Sequence, residues 1–539
     1  MTVFEIILVS VCALAFGLMA TATVLELRRD LMMLQQNSYR HERYMRWLRQ
    51  SGDTTSFAHL ICYALLLCAL AMTAPLGKLL VAAGMGIFAI SRARALAVAK
   101  YKKPLVMTGR ARRIFAVDLV LALVIIIAVE LVWGLGDKIG WAYVGAMAAT
   151  ACLALAHFIT LAALWLLRPV DAHINRKFYN AAAAKLASMP DLKIVGITGS
   201  YGKTSTKHYL HRILSEHFDT LMTPGSFNTT LGVVRTVNEH LKPYNEVFIV
   251  EMGAKQRGDI REICELVHPT AGIITAVGPQ HLESFGGIDA VRDTKFELAD
   301  AIPADGFVVV NNDFEQCRLR QVTNTHCVRY GVSDPAGCQY TASDIVYTPQ
   351  GTQFTVNGPD GFSLPLQTAL VGECNISNLV AAVATAHILG VPADRIAYGV
   401  SRIEQVEHRL SLRRLPMGVT IIDDAFNSNP MGSRMALDVL AMMTTGTRWV
   451  ITPGMIELGD EQFALNRAFG AHMAACADRA LIVGEYNRDA ILEGLRQAGM
   501  PSDNVLCFDT FLDANAYAMD RVKAGDTILI ENDLPDTFK

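Results

Sequence analysis

One glycine-rich stretch has residue types and a spacing that suit phosphate binding; it reads Gly196-Ile197-Thr198-Gly199-Ser200-Tyr201-Gly202-Lys203-Thr204-Ser205-Thr206. It follows the apolar segment Lys193–Val195 and leads into a predicted helix over Lys207–Phe218. A strand that ends in such a turn and continues as a helix directs backbone N–H groups and a helix N-terminus at one point, where an anion is stabilised. There the Lys203 ammonium lies along the β- and γ-phosphates, and the Thr204 hydroxyl binds magnesium.

The stretch departs from the strict phosphate-loop pattern, which requires glycine where this chain has Ile197. A strand-to-helix turn without a ligand is the alternative interpretation. The Gly-Lys-Thr sequence lies between a predicted strand and a predicted helix, which is the context that the motif needs. This context favours the phosphate site.

The elements around this stretch alternate between short apolar runs and helical patterns, which predicts βαβ units and a mainly parallel sheet. Glu251 ends one buried-type strand, Val247–Val250, at the carboxyl edge where ligands of open α/β sheets bind. Residues 333–371 change to short β-type runs and predict an antiparallel excursion of the same domain. A second alternating series predicts a Rossmann-like domain with strands at Val419–Ile422, Trp449–Thr452, Ala480–Val483, Val505–Phe508 and Thr527–Ile530.

The composition indicates that part of the chain lies in lipid. Of the 539 residues 52% are apolar, and the mean hydropathy of +0.29 is too high for an ordinary soluble enzyme. A helix needs about 20 mostly apolar residues to cross a bilayer. Five segments meet this condition and are predicted to span the membrane: Val3–Leu27, Phe57–Ala74, Leu76–Leu96, Ile114–Leu135 and Trp141–Leu167.

The loops between these segments predict their orientation. Two of them, near Arg28–Arg49 and Arg92–Arg113, are rich in arginine and lysine, whereas the turns near residues 75–78 and 136–140 are poor in charge. The positive-inside rule places the basic loops and everything after Arg168 in the cytoplasm, with the N-terminus outside. We therefore predict a multi-pass protein of a bacterial plasma membrane whose soluble part is cytoplasmic.

Several polar features of this region have two interpretations. Leu31–Leu48 is either an interfacial amphipathic helix or an ordinary solvated one. Ionisable residues within or near the spans are functional candidates by default, although those near span ends can simply reach the interface; they are Glu5, Asp118, Glu130 and His157. His157 is nearer the middle of its span, where it contacts either a lipid head group or a neighbouring helix.

The fold class predicted from these patterns is a membrane α-helical N-terminal domain followed by α/β structure, with a P-loop-type central ATPase domain and a Rossmann-like C-terminal domain. The predicted boundaries are 1–168 for the membrane domain, 169–190 for a linker, 191–403 for the central domain and 404–539 for the C-terminal domain. The formal net charge of −3 argues against a nucleic-acid partner. The cysteines occur singly, which suits a reducing cytoplasm.

Several motifs in the same order resemble the central domain of the Mur ligases, ATP-dependent enzymes that form amide bonds in peptidoglycan precursors. They are the glycine-rich stretch, Pro224–Gly232, Glu251–Ala254, His281–Gly286 and Lys295. Farther along, Asp423–Pro430 resembles the branch that adds D-alanyl-D-alanine to the UDP-N-acetylmuramoyl-tripeptide. The resemblance covers roughly Asp191 to Gly459.

The resemblance implies roles for individual residues. Lys203, His281 and Lys295 are the implied catalytic residues, and Lys295 matches a lysine that many members carbamylate. Thr204, Glu251, His281 and Lys295 are the implied ligands of Mg²⁺. The ATP-binding residues implied are Gly199, Ser200, Gly202, Lys203, Thr204, Ser205, Asn311, Asp313, Asn375, Arg409, Asp424 and Asn427. Asn228 and Thr229 are implied to approach the growing peptide, and an ordinary polar turn is the alternative for these two.

The chain also departs from the family in two places that concern the substrate. Apolar helices replace the domain that holds the UDP sugar, and Ile528–Asp536 replaces a Lys-Gly-Ser-Arg type motif. The expected partners are a cell-wall precursor with an amino acid or dipeptide, and membrane lipid; a lipid-linked acceptor is a further hypothesis. The alternatives are a ligase of another acid, such as a polyglutamate or cyanophycin-like peptide, and a non-catalytic ATP-binding scaffold that recruits wall-synthesis proteins.

Overall fold

The computed structural model describes residues 2–99, 101, 103–133, 138–280, 285–348, 351–425 and 428–532. These residues divide near residue 174 into two compact units, one helical and one of mixed α/β structure. The division agrees with the predicted fold class of apolar helices followed by α/β structure. The domain boundaries that we predicted within the α/β part stay predictions.

The first unit is built from helices; they are α1 Val3–Gln36, α2 His41–Ser51, α3 Phe57–Ala71, α4 Pro75–Val98, α5 Gly109–Trp133, α6 Lys138–Ala154 and α7 Ala156–Ala187. The last of these continues past residue 174 into the second unit. Helix α1 packs against α4 and α6 through small and sulphur-containing side chains that include Cys12, Ala15 and Met85. Small residues at such contacts let helix backbones approach closely.

Fewer helices than predicted pass a length and composition test for membrane spans. Among the described residues, α1, α4 and α5 pass, and α6 with α7 forms one more candidate that is bent by 72°. The predicted span Phe57–Ala74 corresponds to α3, which has 15 residues and is shorter than a bilayer requires. The predicted span Trp141–Leu167 is interrupted between α6 and α7. The count is therefore three or four rather than five, and the orientation that depended on five stays a prediction.

The segment Leu31–Leu48 is not one continuous helix. Helix α1 continues to Gln36, the chain turns, and α2 begins at His41. The side chains of Tyr44, Trp47 and Leu48 are buried in a cluster with residues of α5 and α7. The solvated-helix interpretation was wrong, because the aromatic face of α2 packs inside the helical unit, and an interfacial position of the segment stays a prediction.

A nine-stranded sheet forms the first part of the α/β unit, in the order β2-β3-β1-β4-β5-β6-β7-β8-β9. Its strands are β1 Lys193–Thr198, β2 Thr220–Met222, β3 Val247–Glu251, β4 Ala271–Ile274, β5 Phe307–Asn311, β6 His326–Gly331, β7 Tyr340–Thr348, β8 Gly351–Asn357 and β9 Ser363–Thr368. The strands up to β7 pair in parallel, and β7, β8 and β9 pair antiparallel. The predicted antiparallel excursion over 333–371 is therefore confirmed as part of this sheet.

Helices cover both faces of this sheet; they are α8 Lys203–Leu214, α9 Thr230–Glu239, α10 Asp259–Val267, α11 Ile288–Ala301, α12 Glu315–Leu319, α13 Glu373–Ile388 and α14 Ala393–Ser401. Two apolar clusters, one per face, enclose the central strands. Strands buried on both faces have nearly continuous apolar sequences, as β3 does. The periodicity that predicted these strands reflects this double burial.

A six-stranded sheet forms the second part, in the order β10-β11-β15-β12-β13-β14. Its elements are β10 Ser411–Arg414, β11 Thr420–Asp424, α15 Pro430–Ala441, β12 Arg448–Thr452, α16 Gln462–Cys476, β13 Arg479–Val483, α17 Arg488–Gln497, β14 Val505–Phe508, α18 Phe511–Arg521 and β15 Thr527–Glu531. All pairs are parallel except β10 with β11. The five predicted strands are confirmed, and β10 is an additional antiparallel edge.

The register of the first sheet positions the glycine-rich stretch. Strand β1 lies between β3 and β4, with Ile197 opposite Glu251 and Thr198 opposite Ile274. Because these strands are parallel, their carboxyl ends meet at one edge of the sheet. The turn after β1 and the end of β3 therefore lie side by side.

Candidate active site

The turn between β1 and α8 requires glycine at two positions. Gly199 has a φ of +151°, and a Cβ atom there would lie 2.1 Å from the Thr275 hydroxyl oxygen. Gly202 has a φ of +78°, and a Cβ atom there would lie 2.4 Å from Asn378 Oδ1. Side chains are excluded both by this backbone conformation and by the neighbouring atoms. The backbone can thus form a tight turn just before the first turn of α8.

Ile197 explains why the stretch departs from the strict phosphate-loop pattern. Its side chain is fully buried within β1, where it belongs to an apolar core cluster. The glycine-rich turn therefore comprises only the residues from Gly199 to Gly202. Ser200 fixes this turn to the next loop, since its Oγ donates to the Gly278 carbonyl at 3.0 Å and accepts from the Gly278 amide at 3.1 Å.

Lys203 opens α8 with its side chain folded over the turn. Its Nζ donates to the carbonyl oxygens of Gly199 at 2.6 Å and Ser200 at 3.2 Å. Burial lowers the pKa of Lys203 to about 8; Glu251 opposes this shift and the positive charge of Arg409 adds to it. The ammonium is therefore near the turn and lacks a full counter-charge, which is the condition of a lysine that receives an anion.

Glu251 is the most contacted acid of the site. Its Oε1 accepts from the Thr204 hydroxyl at 3.2 Å and from Asn228 Nδ2 at 3.1 Å, and its Oε2 lies 3.0 Å from Lys207 Nζ. Burial raises the pKa of Glu251, but the charges of Lys207 and Lys203 outweigh it, so the net pKa is lowered. The carboxylate is thus ionised, and its Oε1 atom lies next to the Thr204 hydroxyl.

Lys207 is a site residue that the sequence analysis missed. It lies one helical turn after Lys203, its side chain is fully buried, and it donates to the Gly225 carbonyl as well as pairing with Glu251. Burial lowers its pKa, and the contact with Glu251 opposes the shift. The i, i+4 spacing from Lys203 was the available signal, because such residues share one face of a helix.

Lys295 lies on α11 and is almost completely buried. Burial lowers its pKa well below the usual value; the positive charge of Lys203 adds to this, while Asp259 and Glu297 oppose it. Glu297 itself accepts from the backbone amides of Gly258 at 2.8 Å and Arg261 at 3.0 Å, at the start of α10. Burial therefore favours the neutral amine of Lys295 over its ammonium, and the charge of Lys203 on the glycine-rich turn acts in the same direction.

Asn311 and Asp313, which we predicted to bind the nucleotide, form hydrogen bonds within the protein. Asn311 donates to the Thr275 carbonyl at 2.8 Å and accepts from the amide of Asp313 at 3.0 Å. Asp313 accepts from the backbone amides of Val332 and Asp334. Their side chains thus fix the loops that follow β5 and β6, and a direct contact with a nucleotide stays a prediction.

Helix α13 contacts helix α8, which follows the glycine-rich turn. Asn378 accepts from the Thr206 hydroxyl at 3.1 Å. Asn375 donates to the Val371 carbonyl at 2.8 Å and accepts from the Tyr209 hydroxyl at 2.7 Å. Both asparagines therefore anchor α13 to α8; Asn375, for which we predicted a role in nucleotide binding, is buried.

The second sheet and the residues just before it contribute Arg409 and Asp424. Burial lowers the pKa of Arg409, opposed by the charges of Asp424 and Glu251. Asp424 accepts from the amide of Leu410 at 3.0 Å, and burial raises its pKa to about 6 against the effect of Arg409. The charges of Arg409, Asp424 and Glu251 thus influence one another, and a contact of Arg409 or Asp424 with ATP stays a prediction.

Glu531 is a second residue that sequence reasoning did not select. It ends β15, is fully buried, and its Oε1 accepts from the Ser428 hydroxyl at 2.6 Å. Burial raises its pKa well above the usual value, and the nearby Asp424 raises it further. An acid at the end of a buried strand was the available signal, and β15 lies beside β11 in the sheet.

Asn228 and Thr229 have different roles in the structure. Asn228 contacts Glu251, as described above, and its carbonyl accepts from the Gly253 amide at 2.7 Å. The Thr229 hydroxyl caps α9 by accepting from the Gly232 amide at 3.3 Å. Ser205 is buried in the first turn of α8. His281 and Asn427 lie outside the described residues.

The arrangement fits a magnesium nucleotide. Lys203, Lys207, Lys295 and Arg409 all have lowered pKa values, chiefly because they are buried; Glu251 opposes the shift for Lys203, Lys207 and Arg409, whereas Asp259 and Glu297 oppose it for Lys295. Phosphate oxygens supply the missing negative charge. The Thr204 hydroxyl and the Glu251 carboxylate are oxygen ligands of the kind that Mg²⁺ prefers.

Comparisons with known proteins agree with this geometry. A family model described as the Mur ligase middle domain matches residues 197–386, and one described as the Mur ligase, glutamate ligase domain matches residues 408–531. The UDP-N-acetylmuramoyl-tripeptide–D-alanyl-D-alanine ligase of Escherichia coli strain K12 is 32% identical over 334 residues, which cover 60% of this chain and 73% of that protein. The protein of the same name from Bacillus subtilis strain 168 is 28% identical, and the match covers 52% of this chain and 60% of that protein.

Solved structures share the fold of the α/β part. Crystal structure I of MurF from Acinetobacter baumannii superposes with a TM-score of 0.60 and 27% identity, covering 66% of this chain and 77% of that chain. The structure of MurF ligase from Thermotoga maritima in complex with ADP has a TM-score of 0.59 and 23% identity, covering 66% of this chain and 80% of that chain. The chain therefore belongs to the Mur ligase family, whose members are ATP-dependent peptide ligases.

Proposed function

We propose that this protein is a membrane-anchored, ATP-dependent ligase that forms an amide bond on a peptidoglycan precursor peptide, with its ligase domains in the cytoplasm of a bacterial cell. The observation that carries the proposal is the contact of Glu251 with Thr204, Asn228 and Lys207 at the mouth of the glycine-rich turn. The relatives that share this part of the chain are named as ligases of a muramoyl tripeptide and D-alanyl-D-alanine. The apolar helices of the first unit support the anchor.

The chemistry of such a ligase requires that several negative groups meet. ATP, when bound with Mg²⁺, would supply the phosphoryl group that converts an unreactive carboxylate into an acyl phosphate, with ADP as the leaving group; attack by an amine would then form the amide and release inorganic phosphate and a proton. Lys203 and Arg409 neutralise negative charge that accumulates near the turn. Thr204 and Glu251 would hold the metal, and Lys207 keeps Glu251 ionised and in place.

Lys295 adds a modification to this proposal. A neutral amine can add to carbon dioxide, forming a carbamate and releasing one proton, and the burial of Lys295 favours the neutral amine. The product is an oxygen ligand with a negative charge, which would offset the positive charge of Lys203. Labelling with ¹³C-bicarbonate should produce one carbamate resonance in the wild-type protein that is absent from Lys295→Ala; equal spectra would refute the modification.

The decisive experiment measures ATP-dependent ligation by the purified full-length protein. Lys203→Ala should abolish product formation, because the ammonium next to the turn is lost. Lys242→Ala, a substitution of an exposed lysine in the same unit, should leave the rate unchanged. Full activity of Lys203→Ala would refute the assignment.

The acceptor substrate is a separate question. The segment before residue 191 consists of apolar helices rather than a sugar-binding domain, which supports an acceptor that is linked to lipid and presented at the membrane surface. Turnover of a lipid-linked and a UDP-linked tripeptide should therefore be compared on the same preparation. A clear preference for the UDP-linked acceptor would refute this part of the proposal, and the mass of the product would distinguish a ligase of another acid.

A further inference from the structure

Two buried histidines and a half-buried aspartate meet within the helical unit. Asp53 comes from the short turn before α3, His59 from the first turn of α3, and His157 from the first turn of α7. One potential ligand atom from each lies within 4.8 Å of the others. His157 Nε2 is 3.2 Å from Asp53 Oδ2, and the two imidazole rings are 4.8 Å apart between centroids.

Each of these side chains is oriented by a second contact on its far side. His59 Nδ1 lies 3.0 Å from the Ser56 hydroxyl, which directs Nε2 toward the cluster. His157 Nδ1 lies 2.8 Å from a carboxylate oxygen of Asp30. An imidazole held by a carboxylate through one nitrogen is typical of histidines that bind a metal through the other nitrogen.

Asp53 is positioned in the same way. Its two carboxylate oxygens accept from both terminal nitrogens of Arg29, at 2.6 and 2.7 Å. Bidentate pairing fixes the plane of a carboxylate as well as its position. The remaining lone pairs of Asp53 can therefore serve the cluster without loss of the pair with Arg29.

The two histidines are fully buried; within the described part of the chain His59 Nε2 has no hydrogen-bond partner, and His157 Nε2 has only Asp53 Oδ2, at 3.2 Å. A buried polar atom without a hydrogen-bond partner destabilises the fold. A protonated His157 shared between Asp30 and Asp53 would satisfy its own Nε2 but leave that of His59 unpaired. A ligand that accepts electron pairs from both nitrogens satisfies both at once.

We propose that Asp53, His59 and His157 bind a divalent transition-metal ion, with Zn²⁺ as the expected ion. Two imidazoles and one carboxylate are a common ligand set of Zn²⁺ sites that keep a position open for water or a substrate group. Tetrahedral bonds of about 2.0–2.2 Å separate ligand atoms by roughly 3.3 Å. The ligand atoms of the three side chains already lie within 4.8 Å of one another, so they must approach by only about 1–2 Å to bind the ion.

The test measures bound metal in the full-length protein, purified in detergent with an affinity tag that lacks histidine. After equilibration with Zn²⁺ and removal of free ion, elemental analysis should find about one ion per chain. His59→Gln and His157→Gln should each lose this ion. Asp30→Asn leaves every ligand atom in place and should weaken binding by about 10–100-fold, because it removes the support behind His157.

Two control variants address other sources of metal. His173→Gln removes an exposed histidine from the same helix as His157 and should keep the ion. His472→Gln disrupts a second group of potential ligands in the α/β unit, formed with Asp438 and Cys476, and should also leave the bound ion of the helical unit in place. Ligase activity is recorded separately, so that its loss does not affect the conclusion about metal.

Three results would overturn the proposal: no Zn²⁺ retained by the wild-type protein, an unchanged content in His59→Gln, or loss of the ion only in His472→Gln. If His59→Gln does not fold, His59→Cys offers a thiolate ligand at the same position and should retain metal. Replacement with Co²⁺ should then give visible d–d absorption that changes between the wild type and His59→Cys. An identical spectrum in the two proteins would exclude His59 as a ligand.

Discussion

The ion pair between Lys207 and Glu251 can be tested by Lys207→Met. The two charged atoms are 3.0 Å apart, and the side chains are 0% and 1% exposed. Removing one partner of a buried pair costs about 3–5 kcal/mol, because the other charge stays buried without compensation. For a domain of about 150–250 residues, each kcal/mol lowers Tm by about 2–4 °C, so the expected decrease is about 6–20 °C.

The pH dependence of this decrease follows from Glu251. Its pKa is lowered because Lys207 and Lys203 outweigh burial. Without the charge of Lys207, the effect of burial is less well opposed, so the pKa of Glu251 rises in the variant. Protonation at lower pH then removes the unpaired charge. The destabilisation by Lys207→Met should therefore be larger at pH 8 than at pH 6.

Lys203→Met is the matched control, since the same residue type is replaced one helical turn earlier. The Lys203 ammonium donates to the backbone carbonyls of Gly199 and Ser200, and its charge lowers the pKa of Lys295. Removal of the Lys203 ammonium relieves its repulsion with Lys295, so Tm should change by less than about 4 °C. Intrinsic fluorescence during heating of the full-length protein without nucleotide gives both values. A Tm decrease for Lys203→Met that equals or exceeds that for Lys207→Met would refute the reasoning.

Three further predictions concern both units. Nucleotide affinity should fall by up to about tenfold per pH unit above pH 8, because Lys203 has a pKa of about 8 and binds phosphate as the ammonium; calorimetric titrations at several pH values measure this. Gly202→Ala should lower the free energy of unfolding by at least about 1–2 kcal/mol and weaken nucleotide binding, because its φ of +78° disfavours a side chain. Arg92→Met should lower Tm more than Arg94→Met does, because Arg92 donates to the buried Glu26 at 2.7 and 2.8 Å whereas Arg94 is exposed.

Local sequence signals predicted the parts of the fold that depend on neighbouring residues. The glycine-rich turn and the strand ending at Glu251 were predictable because a parallel sheet places strand ends at one edge. Strand β10 was not predicted, because its charged residues Arg413 and Arg414 lie on an exposed edge and lack an apolar period. Partners far apart in the chain, such as Lys207 with Glu251, have no local signal at all.

The helical unit also shows that local sequence signals do not predict contacts between distant residues. Hydropathy identified its apolar stretches but not the break after Ala154, where α6 ends and α7 begins at an angle of 72°. That break places His157 in the first turn of a helix, close to Asp30 and Asp53. The sequence indicated that His157 was unusual, but its acidic partners follow only from packing.

The charges of the ligase site indicate how it discriminates between ligands. Lys203, Lys207 and Arg409 have lowered pKa values, so each is held at an energetic cost in the protein alone. A polyanion removes this cost, whereas a neutral molecule of the same shape does not. Glu251 partly compensates these positive charges. Its Oε2 forms an ion pair with Lys207, and its Oε1 accepts hydrogen bonds from Thr204 and Asn228. A divalent cation beside Thr204 would meet Oε1 of Glu251, and the phosphates bound with it would balance the charges of the lysines.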